Sequence, residues 1–252
     1  MNEIDLSVVI PTYNEEKRIE LSLRKIRDFF SSQQLKYEVI ISDDGSTDST
    51  RKIARKNQDG WSELVLLKNS HKGKAPAIIS GINNARGEYV LVSDIDLSVP
   101  IDEASKMMVW LKEQGYDAAI ASREGSGAKR INEPYIRHFM GRIFNLIVQI
   151  LILPGINDTQ CGFKMFKSKA AREIFKKTKL YSPDDPDIKG ARLSGFDVEL
   201  LYVARKLGYK IKEVPVTWTY GDNSKVHSMR DSYYNTRDVI KVRLNSLKGV
   251  YK

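Results

Sequence analysis

Two aspartates one residue apart, Asp94 and Asp96, follow the apolar run 89–93. Carboxylate oxygens on the rigid end of a strand suit a hard divalent cation such as magnesium or manganese. An ion held there would neutralise a substrate diphosphate. The same pair also suits an ordinary strand-to-helix turn. Two further polar clusters follow apolar runs: Pro11-Thr12-Tyr13-Asn14-Glu15 and Asp43-Asp44-Gly45-Ser46. A carboxylate of the second can accept from a nucleobase N–H or a sugar hydroxyl, and the cluster equally suits a capping turn. Three polar strand ends point to one crevice at the carboxyl edge of a parallel sheet.

The elements that would position these residues follow from hydrophobic spacing. Residues 6–10, 37–42, 63–67, 89–93 and 117–122 are short apolar runs of strand length. Between the first two, Ile19, Leu23, Ile26 and Phe30 recur at helical spacing, with Asn14 as the expected N-cap. Ser46 or Thr47 is the expected cap of the next helix. Pro76 marks a helix running to about Ala85. Pro100 and Asp102 open another, with Met107, Met108 and Leu111 on its apolar side. Strand and helix therefore alternate through the first half, which predicts a doubly wound α/β layer.

The second half is patterned differently. Residues 122–134 form a Gly- and charge-rich loop, and 135–153 a helix with a very apolar C-terminal half. Strand-like pattern surrounds Gly162. Helices are expected at 169–176 and 196–207, extended segments at 209–214 and 216–220, and a basic amphipathic helix from 228 onward. The expected organisation is one domain over 1–227, with a first half to about 122 and a second half beyond, followed by the C-terminal helix 228–252.

A chain of 252 residues buries a full core. Its net charge of +9 suits an anionic partner and equally a plain solvated surface. The single cysteine, Cys161, excludes an internal disulfide. The N-terminus leads straight into the first strand, so no signal peptide is expected. No run reaches the roughly 18 apolar residues that span a bilayer. His71, His138 and His227 are too scattered to suggest zinc.

Taken together, residues 8–16, Asp43-Asp44-Gly45-Ser46 and Asp94-Ile95-Asp96 resemble the family 2 inverting glycosyltransferases of GT-A fold. Asp158-Thr159-Gln160-Cys161-Gly162-Phe163-Lys164 and residues 195–201 resemble the polyprenyl-phosphate glycosyltransferases within it, most of all the dolichyl-phosphate β-glucosyltransferases. Glu213-Val214-Pro215-Val216 and Ser224-Lys225-Val226 extend the match. The resemblance implies a GT-A-like, mostly parallel sheet flanked by helices, with C-terminal amphipathic helices at a membrane interface. It implies transfer of glucose from UDP-glucose to a polyprenyl (dolichyl or undecaprenyl) phosphate, with Mg2+ or Mn2+, at the cytoplasmic face of a membrane. GDP-mannose or a UDP-N-acetylhexosamine is the alternative donor.

Residue by residue, the resemblance implies that Pro11, Tyr13 and Glu15 contact the nucleoside. Asp44 would hold the base edge, with Asp43 close by. Lys74 would contact the nucleotide, and Lys225 would close over the diphosphate. Asp94 would face the ribose or sugar and share the metal site with Asp96. Arg123 and Arg137 would receive the acceptor phosphate, although each alone is also ordinary surface charge. Asp197 and Glu199 would stand near the donor sugar. Ser98 occupies the place where some relatives carry a third, glutamine metal ligand. Gly73-Lys74-Ala75-Pro76 departs from the usual Gly-Lys-Gly. The transmembrane segments that anchor many relatives have no counterpart in the sequence. An apolar surface made of Phe139, Ile143, Phe144, Ile147, Ile150, Leu151 and Leu153 would meet the membrane, or would be core.

Rival classes fit less well. A nucleotidyltransferase would place a Gly-rich basic loop after the first strand, and a dinucleotide oxidoreductase a Gly-x-Gly-x-x-Gly. A nucleic-acid binder would not carry three acidic strand ends, so no nucleic-acid partner is expected.

Overall fold

A computed structural model of the chain describes residues 4–182, 185–188, 195–221 and 228–251. Its centre is one sheet, which among the described residues has seven strands. In chain order these are β1 (Leu6–Thr12), β2 (Tyr37–Asp44), β3 (Leu64–Asn69), β4 (Tyr89–Val92) and β5 (Ala118–Ser122), then β7 (Lys164–Lys167) and β8 (Ile211–Pro215). The spatial order is β3-β2-β1-β4-β7-β5-β8. Every pairing is parallel except those of β7, which runs antiparallel between β4 and β5. Two short strands, β6 (Lys129–Ile131) and β9 (Thr217–Thr219), form a separate parallel ladder.

Strand side chains alternate between two apolar cores, one on each face of the sheet. Val8 and Ile10 face one core and Val9 the other; Met165 and Phe166 divide the same way. Helices α1 (Ile19–Ser31), α2 (Thr50–Gln58) and α4 (Glu103–Lys112) cover the first face. Helices α3 (Lys74–Asn84), α5 (Tyr135–Leu151), α6 (Ser168–Lys177), α7 (Phe196–Lys206) and α8 (Ser228–Leu247) belong to the second. The second half of the chain thus supplies strands to the same sheet as the first.

The strands and most helices lie within a few residues of their expected places. Four local differences have clear causes. Helix α1 begins at Ile19 rather than beside Asn14, because Asn14 takes a left-handed φ of 52° and its amide oxygen accepts from Thr47 N. The N–H groups of residues 14, 15 and 16 donate to Ser46 Oγ, Thr50 Oγ1 and Asp48 Oδ2. Ser46 is therefore spent on that turn, and Asp48 receives the first N–H of α2, from Thr50. The segment 122–134 is not a plain loop. It contains β6 and is cross-linked by Arg130 to Glu124 and Glu133, and by Arg142 to Glu124. Only 164–167 of the strand-like stretch around Gly162 forms a ladder.

Helix α5 also sorts its apolar residues differently from expectation. Val148 is buried, as are Ile152 and Leu153 just beyond the helix, and Phe144 and Leu151 pack half-buried on the core. Ile136, Phe139, Ile143, Leu146 and Ile150 form the exposed row, at alternating spacings of three and four. Helix α8 packs on α5. It buries Val239 and Val242 while exposing Ile240, Leu244 and Leu247. Among the described residues no helix is long and apolar enough to cross a membrane.

Close packing of α3 on β1 yields a test. A Cβ at Gly81 would lie 2.3 Å from Val9 Cγ1. Glycine-to-alanine changes inside helices ordinarily stabilise, by about 0.5–1 kcal/mol. Gly81→Ala is expected to do the reverse, costing roughly 1–3 kcal/mol from overpacking, read as a lower urea midpoint.

Candidate functional site

The carboxyl ends of β1, β2, β4, β5 and β8 and the amino end of antiparallel β7 meet at one edge of the sheet. The strand order reverses between β1 and β4, where open α/β sheets form their crevices. A cleft of about 730 Å³ opens at this edge. Lys74, Asp94, Asp96, Arg123, Arg137 and Asp197 line it together. These six expected site residues come from five different segments of the chain.

Asp94 stands just beyond β4. Its Oδ1 accepts from the Lys74 ammonium at 2.5 Å. Burial alone would lower the Lys74 pKa, but the carboxylates of Asp94 and Asp197 more than offset this and hold it above the ordinary lysine value. The other oxygen, Asp94 Oδ2, lies over Gly162, where a Cβ would come within 2.1 Å of it. Only a glycine admits the carboxylate at that depth. Asp96 is exposed, and its Oδ1 accepts from Ser98 N. Ser98, at the expected third-ligand position, contributes a backbone N–H to the turn and lines the cleft. Among the described residues no cluster of three or more histidine, cysteine or carboxylate groups is placed to hold a metal. Two carboxylates and open space nonetheless fit magnesium or manganese in substrate-bridged form, since such ions commonly take one or two protein carboxylates and fill their shell with phosphate oxygens and water.

The opposite wall is basic and aromatic. Arg123 follows β5 and donates through Nε and Nη2 to the two oxygens of Asp158, at 2.7 and 2.8 Å. Asp158 is fully buried. Burial would raise its carboxyl, but the charge and hydrogen bonds of Arg123 hold it down at about 2. The same pairing holds Arg123 above its ordinary value against the opposing effect of burial. Glu213 on β8 fixes the segment carrying Asp158 by accepting from the N–H groups of Asn157 and Asp158. The Arg123 guanidinium also lies over the Trp218 ring, 5.2 Å from its centre. Arg137, on α5, lies over Tyr220 at 4.9 Å, and its nearest carboxylate, Glu133, is 3.9 Å away.

The remaining expected residues lie beside the cleft or away from it. Pro11, Tyr13 and Glu15 cluster at the end of β1, with Asp43 and Asp44 at the end of β2; none lines the cleft itself. Asp44 accepts from the N–H groups of Lys72 and Gly73, and His71 Nδ1 lies 2.8 Å from it. It is therefore the anchor of the 71–73 loop. Gly45, at φ 79°, makes room for that loop, since a Cβ there would meet His71. Tyr13 stacks face to face on His71 at 3.9 Å. Asp43 pairs with Arg51 through Oδ1, while its buried Oδ2 and the neighbouring Thr12 Oγ1 find no hydrogen-bond partner among the described residues. Thr12 and Asp43 are register partners across β1 and β2, so the two open positions adjoin.

Glu199 does not join the site. It is fully buried, accepts from the N–H groups of Lys179 and Leu180 and from Tyr251 Oη, and its pKa is raised by that burial. Two residues along a helix turn a side chain through roughly 200°, so only Asp197 can face the cleft. Lys225 lies outside the described residues. Sequence reasoning gave no role to Asp158, Lys164 or His71. The signal available for His71 was its place in the basic loop ahead of Lys74. Asp158 and Lys164 had only their motif.

Residues 7–175 match the family model described as glycosyl transferase family 2, and the chain belongs to that family. It is a glycosyltransferase with a GT-A-like fold. It is 34% identical, over its whole length, to a dolichyl-phosphate beta-glucosyltransferase of Dictyostelium discoideum, covering 78% of that protein. The Homo sapiens protein of the same name is 33% identical over 98% of this chain and 77% of its own length. Among solved structures, the glucosyl-3-phosphoglycerate synthase of Mycobacterium tuberculosis bound to phosphoglyceric acid superposes with a TM-score of 0.68 at 18% identity. It spans 98% of this chain and 81% of that one. A Pyrobaculum calidifontis mannosyltransferase in complex with GDP-Man and Mn2+ gives 0.61 at 21% identity, over 97% and 64%.

The buried pair at the basic wall makes a prediction. Asp158→Asn leaves Arg123 without its counter-charge and is expected to cost about 3–5 kcal/mol in urea unfolding at neutral pH. The Asp158 carboxyl drops from an ordinary 3.8 to about 2 on folding. Its contribution is therefore complete above pH 4 and lost as pH falls toward 2. Wild type and variant should converge over that window.

Proposed function

We propose that this chain transfers glucose from UDP-glucose to the phosphate of a polyprenyl lipid at the cytoplasmic face of a membrane. The observation that carries this reading is helix α5, which lines the cleft with Arg137 and exposes an apolar row, beginning at Ile136 and Phe139, on its outer side. A cationic cleft wall continuous with an apolar surface suits an acceptor whose reacting end is a phosphate and whose remainder is a hydrocarbon. The glucosyltransferases that resemble the chain over its full length act, by their names, on dolichyl phosphate.

In the reaction, a phosphate oxygen of the acceptor attacks the anomeric carbon. The bond from that carbon to the nucleoside diphosphate breaks on the opposite face, so an α-linked donor gives a β-linked product. The acceptor is already an anion, so no strong general base is required. Arg137 and Arg123 orient the phosphate, as planar guanidiniums suit its oxygens. Asp158 keeps Arg123 in one rotamer. Tyr13, Pro11 and Glu15, with the open positions at Asp43 and Thr12, receive the nucleoside, and Asp44 sets the loop that borders it. Lys74, and Lys225 by resemblance, face the diphosphate. Asp197 accepts hydrogen bonds from the sugar. A magnesium or manganese ion held by Asp96 and Asp94 would offset the charge of the departing diphosphate.

A donor panel tests this directly. Purified protein is incubated with a short polyprenyl phosphate and UDP-glucose, UDP-N-acetylglucosamine, UDP-galactose or GDP-mannose. Chelator-sensitive glycolipid from UDP-glucose is expected, with Asp96→Ala reducing turnover at least 100-fold. Glycolipid from a different donor would reassign the sugar, and release of free sugar alone would overturn the lipid acceptor.

The membrane surface is tested separately by flotation with anionic vesicles. Burying an apolar side chain contributes about 1.5–3 kcal/mol. Replacing Phe139 and Ile150 together by serine is therefore expected to weaken vesicle binding at least tenfold, with donor hydrolysis or transfer to a short soluble acceptor little changed.

A further inference from the structure

Lys164 is the first residue of β7, opposite Val92 on β4 and Ile120 on β5. Its side chain is only 3% exposed. Lysine is almost never buried to that degree unless paired, because removing an ammonium from water costs several kcal/mol. Here the ammonium donates to the Cys161 carbonyl and to Asp197 Oδ1, both at 2.5 Å. Asp197 sits in the first turn of α7 and lines the cleft. Behind it, Lys164 and Lys74 share a void of about 10 Å³ walled by Val92, Phe166 and Phe196. Too small to admit solvent freely and walled by apolar groups, this space strengthens the pair. Lys74 does not hold Asp197 in the same way, since its ammonium is bonded to Asp94.

We propose that Lys164 is a positioning residue, which fixes the carboxylate of Asp197 at the cleft wall in the orientation that receives the donor sugar. Lys164 reaches Asp197 from behind, from the face of the sheet that α7 covers, and touches no substrate. The inference rests on Asp197 being the sugar contact, as argued for the proposed function. Holding that carboxylate from β7, which is itself hydrogen-bonded on both edges, couples the sugar's placement to the most rigid part of the fold. A displacement of about 1 Å at such a contact can reduce turnover by as much as 100-fold.

The test uses the full chain with UDP-glucose and a short polyprenyl phosphate. Lys164→Met keeps an unbranched side chain one atom shorter and removes its charge. It is expected to lower kcat about 100-fold and to leave the KM for UDP-glucose within about twofold. Lys164→Arg is expected to recover about tenfold of that loss. The decisive comparison is with Asp197→Asn. If Lys164 acts only through Asp197, the double variant K164M/D197N is no slower than D197N alone. A double variant slower by the product of the two single effects would overturn the inference, as would a K164M enzyme with wild-type kcat beside an inactive D197N. A fully active D197N would instead remove the sugar contact itself, and this inference with it. Should K164M fail to fold, Lys164→Gln enters the same cycle.

Discussion

Carboxylates that gather at one edge of a sheet repel one another, and this fold holds most of them there by giving each of those a partner from a different segment, while Asp96 stays exposed. Asp43 has Arg51 from α2, Asp94 has Lys74 from α3, Asp158 has Arg123 from beyond β5, and Asp197 has Lys164 from β7. Asp44 is satisfied by two backbone N–H groups and a histidine. At separations below 3 Å and partial burial, each attraction amounts to several kcal/mol before desolvation is subtracted. The pairs therefore act as cross-links. They tie the cleft wall to the sheet.

These cross-links also run in series. Asp44 at the end of β2 sets the 71–73 loop, the loop sets the first residue of α3, and that residue, Lys74, reaches Asp94 at the end of β4. A nucleoside settling near Tyr13 and His71 would meet the near end of this series, and the diphosphate would meet the far end. On the proposed function, the two halves of a nucleotide sugar would thus be read by one continuous piece of backbone. Glycine is required at the close approaches, at Gly45 beneath His71 and at Gly162 beneath Asp94.

Much of this was legible in the sequence wherever a local rule decides the outcome. Apolar runs with polar ends gave the strands and the edge at which they would converge, and the family resemblance gave six of the residues that line the cleft. What escaped were matters settled by distant partners. Nothing near Arg123 in sequence announces that Asp158 will take both of its prongs, so a residue expected to be a free phosphate ligand is in part a structural one. Glu199 carries the same charge as Asp197 two positions away, yet helical geometry turns it into the core against Tyr251. Asn14 has the composition of a cap and instead serves a turn made by Thr47. In α5 the apolar content alone could not say which side faces outward; the buried Asn145 and Val148 decide it.

Strand β7 carries a consequence for how the molecule comes to exist on the ribosome. It lies between β4 and β5, so β5 has no neighbour in the sheet until residues 164–167 have been synthesised, and its second neighbour, β8, arrives only with residues 211–215. The first four strands can associate early as a parallel unit with their crossover helices. The basic wall, by contrast, cannot form until the chain has nearly emerged. Long-range pairings of this kind are slow to close and expose unpaired edges in the interval. The edge built by β1 to β4 is thus assembled first, and the basic wall is the last to be completed and the first place where a nascent chain is open to error.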